Sequence, residues 1–175
     1  YTATNLRGIE GRTYHLSVTI EGIEYTAESH MPPVVLIDSL SFFDFPMLDY
    51  PMPMVHFQAP LGTENDYYRL LVYINGKRPN TRYSILSGDI MDGFVFHQQI
   101  SISSDNNNDD EEDPLQQGDE VVIELQCIDK NSFTFWSTLA GSDNSLNNPT
   151  SNIQGGVLGY FSAYSFSRIQ TIAAW

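Results

Sequence analysis

"TYHLSVTIEGIEYTAESH", residues 13–30, decides how the chain is to be read. Tyr14, Leu16, Val18 and Ile20 fall at every second position, with His15, Ser17 and Thr19 between them. Successive side chains of an extended chain point to opposite sides, so this alternation predicts a strand with one apolar face. Glu21-Gly22 is a two-residue turn, after which Ile23, Tyr25 and Ala27 resume the pattern. The stretch predicts a β-hairpin.

The same period recurs downstream. "YRLLVYI" (68–74) alternates and ends at Asn75-Gly76, a strong turn signal. "FVFHQQISI" (94–102) groups Phe94, Phe96, Ile100 and Ile102, and "EVVIELQCI" (120–128) groups Val121, Ile123, Leu125 and Cys127. "LGYFSAYSFSRIQTI" (158–172) reads as a long closing strand. One helix is expected. Asp129 is its N-cap, Phe133, Trp136 and Ala140 share a face, and Gly141 stands where a C-cap glycine belongs. The two large aromatics of that helix would plug an open end or edge of the sheet system.

Three segments interrupt the strands. "MPPVVLIDSL" (31–40) carries tandem prolines, as a linker or domain crossing would. "FPMLDYPMPMVHFQAP" (45–60) holds four prolines, which argues against a central strand through most of it. "SSDNNNDDEEDP" (103–114) contains six acids, three asparagines and no apolar residue, the composition of a solvated hairpin loop. Tyr14 follows a glycine-marked corner at the head of a strand, where immunoglobulin-like sandwiches often keep a tyrosine. Two strands cannot close a sandwich. Residues 1–33 are therefore expected to be the terminal hairpin of an Ig-like domain whose earlier strands lie upstream. Residues 34–175 are expected to form an antiparallel β-sandwich or partly open barrel with one short helix. The fold class is mainly β.

Composition narrows the partners. The 175 residues are 41 % apolar and 13 % aromatic, enough for a substantial core. A net charge of −14 would repel nucleic acid and an anionic bilayer alike. No run of eighteen apolar residues exists, so no helical membrane span is expected. The first residues lack the basic and apolar regions of a secretory leader, and Tyr1 is not expected to be the translation start. Cys127 is the single cysteine, so no intrachain disulfide can form.

Chemistry-bearing patterns are sparse. The acids at 109–113 could attract calcium, but they lack the alternate ligands, mid-loop glycine and terminal Glu of an EF-hand. His15, His30, His56 and His97 are scattered singly, without a partner at zinc-ligand spacing. Cys127 falls in an apolar register and is expected to be an inert buried thiol. "QGGVLG" (154–159) is not a phosphate loop, since neither Lys-Ser/Thr nor a helix follows it. No catalytic residue, metal site or cofactor is assigned. Ligand contacts are assigned to Tyr50, Tyr67, Tyr68 and His97. Tyr50 stands out because it lies between prolines in irregular chain, and His97 because it alternates with Val95 and Gln99 on one strand face.

Four stretches together carry a resemblance: "GRTYHLSVTIEGIEYTAESHMPPVVLIDSL", "DYYRLLVYING", "GDEVVIELQCIDKNSFTFW" and "NPTSNIQGGVLGYFSAYS". The chain resembles the domain-of-unknown-function family 4249, predicted lipoproteins of the Gram-negative envelope often encoded beside TonB-dependent receptors. The last stretch is the most specific part, with Asn148, Pro149, Asn152, Gly155, Gly156, Gly159, Tyr160 and Phe161. The resemblance implies a signal peptide, a lipid-bearing cysteine and the start of an Ig-like domain upstream of this sequence. It supplies no catalytic residues. It also makes Asp38-Ser39-Leu40 similar to an O-glycosylation acceptor triplet, although an ordinary strand start reads the same way.

The expectation that follows is a non-enzymatic envelope lipoprotein at the outer membrane, surface-exposed or periplasmic. It would be accessory to ligand capture or uptake by a TonB-dependent receptor, with a glycan or peptide as ligand. The alternatives are an adhesive surface module binding another protein, marked by an apolar patch near 46–57, and a glycan-processing hydrolase, which needs two facing carboxylates.

Overall fold

Glu21 and Gly22 both take left-handed backbone conformations, with φ of 51° and 80°. A turn of that hand matches the twist of the strands it joins. β1 (Thr13–Ile20) and β2 (Ile23–His30) therefore pair antiparallel from Thr13–His30 down to Ile20–Ile23. The structure, a computed structural model, describes residues 7–44, 51–62, 66–79, 84–88, 93–102, 115–142 and 148–175. Tyr50 and the acidic tract at 103–114 lie outside the described residues.

The remaining elements are β3 (Ile37–Phe43), β4 (Met52–Gln58), β5 (Tyr67–Ile74), β6 (Ser84–Ser87), β7 (Val95–Gln99), β8 (Glu120–Ile128), α1 (Lys130–Ser142) and β9 (Ser165–Ile172). They form a three-stranded sheet ordered β3-β4-β7 and a four-stranded sheet ordered β6-β5-β8-β9, with every pairing antiparallel. The two sheets pack face to face as a sandwich. Val55, Phe57 and Phe96 from the first meet Tyr68, Leu70, Val72, Val121, Ile123, Leu125 and Cys127 from the second. Val121, Ile123 and Leu125 have no exposed surface at all. Burying each such side chain contributes about 1.5–3 kcal/mol, so these registers set the fold.

Four sequence expectations change. Pro53 lies inside β4, the central strand of its sheet. Its carbonyl accepts the Ile100 N–H at 2.9 Å, so its donorless nitrogen faces the place where the β7 ladder ends. The bond its missing N–H would have made, to the Ile100 carbonyl, falls at the last position of that ladder, so a single terminal bond is lost. The closing strand covers only Ser165–Ile172, because residues 157–164 run irregularly past the helix. Phe94 precedes β7, caps the Phe96 ring edge-on at 5.7 Å and stays half exposed. Gly141 sits within the last helical turn and is not a left-handed C-cap.

The helix starts where expected. An Asp129 carboxylate oxygen accepts the Ser132 N–H at 2.8 Å, which satisfies one of the orphan donors of the first turn. The other oxygen accepts the Ser29 hydroxyl at 2.6 Å and the His30 N–H at 3.0 Å. The Ser29 oxygen in turn accepts the Ala163 N–H at 2.8 Å. One carboxylate thus ties the hairpin, the helix and the approach to β9. Helix aromatics pack on the outer face of the four-stranded sheet, with Phe133 stacked on Tyr67 at 4.6 Å.

Replacing Asp129 with Ala removes the cap and both ties, and should cost about 3 kcal/mol. Asp129→Asn keeps one acceptor oxygen but turns an NH2 toward the remaining donors, so it should keep the cap or the hairpin ties but not both and give an intermediate loss. Urea denaturation of the two variants against the parent measures both effects.

Candidate functional site

Tyr67 and Tyr68 are consecutive in β5, so they face opposite sides of the sheet. Tyr68 is 1 % exposed and meets the Phe57 and Phe96 rings edge-on at 5.1 and 5.9 Å. Burial, reinforced by the nearby Asp66 carboxylate, pushes its phenol far above the ordinary value. It stays neutral. Tyr67 is 2 % exposed beneath the helix. The two rings border a cleft of about 80 Å³ with Pro32, Pro33, Val35, Pro60, Asp66 and Cys127. Such a volume suits a few waters and falls well short of a typical ligand pocket of about 300 Å³ or more. Packing accounts for both tyrosines. Cys127 behaves as its register predicts: it is buried, accepts the Val35 N–H at 3.3 Å, and burial raises its thiol pKa.

His97 is exposed on the outer face of the three-stranded sheet, directly opposite His56. Their Nδ1 atoms are 2.6 Å apart. No spacing in the sequence announces this pair, because the register of β4 against β7 creates it.

A larger constellation occupies the other outer face. Across β5, β8 and β9, Arg69 lies opposite Gln126 and Gln126 opposite Phe166, while Glu124 lies opposite Arg168. Glu124 is only 3 % exposed. One of its oxygens accepts Gln126 Nε2 at 2.6 Å, and the other accepts Arg168 Nε and Nη2 at 2.7 and 2.6 Å. The carboxylate raises the Arg168 pKa. Arg69 places its guanidinium carbon 3.5 Å from the Trp136 ring centroid, a cation–π contact in a largely dry setting.

Aromatic rings border this network. Tyr160 stacks on Phe135 at 4.7 Å and meets Trp136 at 4.9 Å, yet keeps 38 % of its surface exposed. Tyr164 and Phe166, 6.4 Å apart, are 40 % and 49 % exposed. Arg168 lies 5.0 Å from the Phe166 ring. Burial and the Glu124 charge raise the Tyr164 phenol pKa, so its hydroxyl remains a donor near neutrality. The signal available in sequence was the polar residue in the outward register of a buried strand: Arg69 in "YYRLLVYI", Glu124 and Gln126 in "EVVIELQCI".

The segment that carries Tyr160 is held by side chains that imitate backbone. Asn152 Nδ2 donates to the Phe161 carbonyl at 2.7 Å and Asn152 Oδ1 accepts the Phe161 N–H at 2.8 Å. Gln154 exchanges both backbone bonds with Thr26 of β2, at 2.7 and 3.3 Å. Gly155, at φ 111°, fits against the hairpin where a Cβ would stand 2.7 Å from the Tyr25 ring and 3.2 Å from the Glu24 carbonyl. No other residue type suits that approach.

Residues 1–170, which include all of these contacts, match a family model described as a domain of unknown function, DUF4249. The chain belongs to that family. No curated protein and no solved structure is significantly similar to it. The docked loop at 148–164 and the Arg–Glu network beneath it are thus features seen within a DUF4249 chain.

Two outcomes are expected. Arg168→Leu should lower the thermal midpoint by stranding the buried Glu124 charge, and adding Glu124→Leu should recover most of the loss, as a double-mutant cycle of melts would show. The Cys127 thiol should react with a disulfide reagent at pH 8 only slowly in the folded protein and at once in denaturant.

Proposed function

We propose that this DUF4249 protein is a non-enzymatic cell-envelope lipoprotein that captures a glycan or peptide for an outer-membrane TonB-dependent receptor. The capture surface is the aromatic ledge of Tyr160, Tyr164 and Phe166 with Arg168 beside it. The observation that carries this reading is the exposure of three neighbouring rings on chain braced by the Asn152–Phe161 hydrogen bonds and the β8–β9 pairing. Flat rings can stack on the C–H face of a sugar or on a peptide side chain. A guanidinium fixed by a buried carboxylate orients its remaining donors without losing much freedom on binding. Placement of the ledge on a strand and a cross-braced loop supplies the preorganisation that a capture protein needs.

The hairpin supports a second reading, a structural or adhesive module whose partner is a protein. Ile9, Val18, Ile20 and Ile23 are about half exposed, and the last three share one face of β1–β2. The same face fits residues 1–33 as the terminal hairpin of an Ig-like domain, in which a second sheet would cover it. The Tyr14 hydroxyl accepts the Ile9 N–H at 2.6 Å, in keeping with the tyrosine corner of such domains. In the 51–57 part of the proline-rich segment, Pro53, Val55 and Phe57 are buried, which leaves the hairpin as the stronger apolar surface.

Glycan-array and peptide-array screening of the full chain, followed by calorimetry on the hits, tests the capture reading. Phe166→Ala and Tyr164→Ala should each weaken the hit about tenfold, the value of one ring stack. Val18→Ser with Ile20→Ser should leave it unchanged. Loss of binding only in the hairpin variant would favour the adhesive reading.

A further inference from the structure

The outer face of the three-stranded sheet carries a second arrangement that ligand capture does not use. His56 and His97 occupy directly opposite positions of β4 and β7, and their side chains project from the same face. The rings meet edge to face, with centroids 4.9 Å apart and planes at 65°. Their Nδ1 atoms point at each other across 2.6 Å. On the far side of the His56 ring, Nε2 lies 2.7 Å from the Ser41 hydroxyl of β3. From this geometry we propose that His56 and His97 form a chelating site for a divalent late transition metal ion, with copper(II) bound most tightly.

The geometry suits such a site once the metal displaces the proton shared by the two Nδ1 atoms. Imidazole nitrogens bind zinc at about 2.0–2.1 Å, which puts two neighbouring ligand nitrogens about 3 Å apart. The 2.6 Å gap reaches that separation by a small rotation of two solvent-facing side chains. A ligating histidine needs a partner on its other nitrogen to fix tautomer and ring direction, and the Ser41 oxygen can accept the Nε2 proton of His56. That leaves Nδ1 of His56 as the lone-pair donor. Imidazole pairs suit copper, nickel and zinc, and divalent affinities rise to a maximum at copper.

The surroundings favour a soft or borderline cation over a hard one. Met54 precedes His56 by one pleat on the same face and lies opposite Gln99, which places a thioether beside the pair. Asp38 stands at the irregularity between Ile37 and Ser39, and its negative charge acts favourably on a cation at His56. Among the described residues no third His, Cys, Asp or Glu joins the two histidines. The remaining coordination positions are therefore open to water, to the Met54 thioether or to an arriving ligand.

Titration of the full chain with copper(II) and with zinc(II) in a non-coordinating buffer at pH 7.5 tests the proposal, read by calorimetry and by electron paramagnetic resonance of the copper form. One equivalent of copper(II) should bind, with resonance splitting from two imidazole nitrogens, and zinc(II) should bind more weakly at the same site. His97→Gln and His56→Gln should each reduce copper affinity at least about tenfold, and Ser41→Ala by about the same factor through loss of ring positioning. His15→Gln should change nothing, since His15 lies on the separate hairpin sheet, 3.4 Å from Glu28. Unchanged affinity in both pair variants, loss of binding in His15→Gln, or a spectrum without imidazole nitrogen splitting would overturn the assignment. The spectrum of the unmutated protein decides the matter even if a variant folds poorly.

Discussion

Strand β8 is buried on both sides, and the rest of the molecule is arranged around that constraint. Its inward residues Val121, Ile123, Leu125 and Cys127 fill the sandwich, as any strand of a two-layer fold would require. Its outward residues Glu124, Gln126 and Ile128 are also buried, at 3 %, 3 % and 2 % exposure. An ionised carboxylate removed from water needs compensation close at hand. Arg168 on the neighbouring strand and Gln126 on the same one provide it, while the helix and the segment before β9 exclude solvent. The exposed rings of Tyr160, Tyr164 and Phe166 stand at the border of this cover, so the candidate binding surface is a consequence of how β8 is enclosed.

The hairpin is joined to this body by polar links far more than by apolar packing. Asp129 receives Ser29 and His30 while it caps the helix, Ser29 receives Ala163, and Gln154 adds a short bridge to the edge of β2. The glycine at 155 permits that bridge to form at close range. Such links are directional, so they fix the orientation of the hairpin while its apolar face remains open at Val18, Ile20 and Ile23. Architecture and possible partnership are therefore separable here. Interactions that hold the hairpin in place run along β2 from His30 to Glu24, and the apolar surface left open is that of Val18, Ile20 and Ile23.

Much of this was legible in the sequence, for a local reason. Period-2 alternation is a property of neighbouring residues, so β1, β2, β5 and β8 and the turn at Glu21-Gly22 could be read directly, as could the Asp129 cap. Pro53 misled because proline is judged by its missing donor, and only the pairing shows that the missing bond falls at the end of the β7 ladder. The run 158–172 misled because aromatics alternate there while the chain is held by Asn152 and Ser151 side chains in place of a ladder. Tyr67 and Tyr68 looked available because aromatic content says nothing about which layer covers a ring. The His56–His97 pair and the Glu124–Arg168 pair were invisible for another reason: each depends on the register between strands 41 and 44 residues apart. Long-range register is the information that a single sequence does not display.

The whole arrangement depends on β8 being the enclosed spine of the molecule. Amide hydrogen exchange on the intact protein measures this directly, since buried central strands open only with global unfolding. Amides of residues 121–128 should exchange slowest, those of the neighbouring β5 next, and those around the hairpin tip at 19–24 fastest. Exchange of β8 as rapid as that of the hairpin would contradict the account.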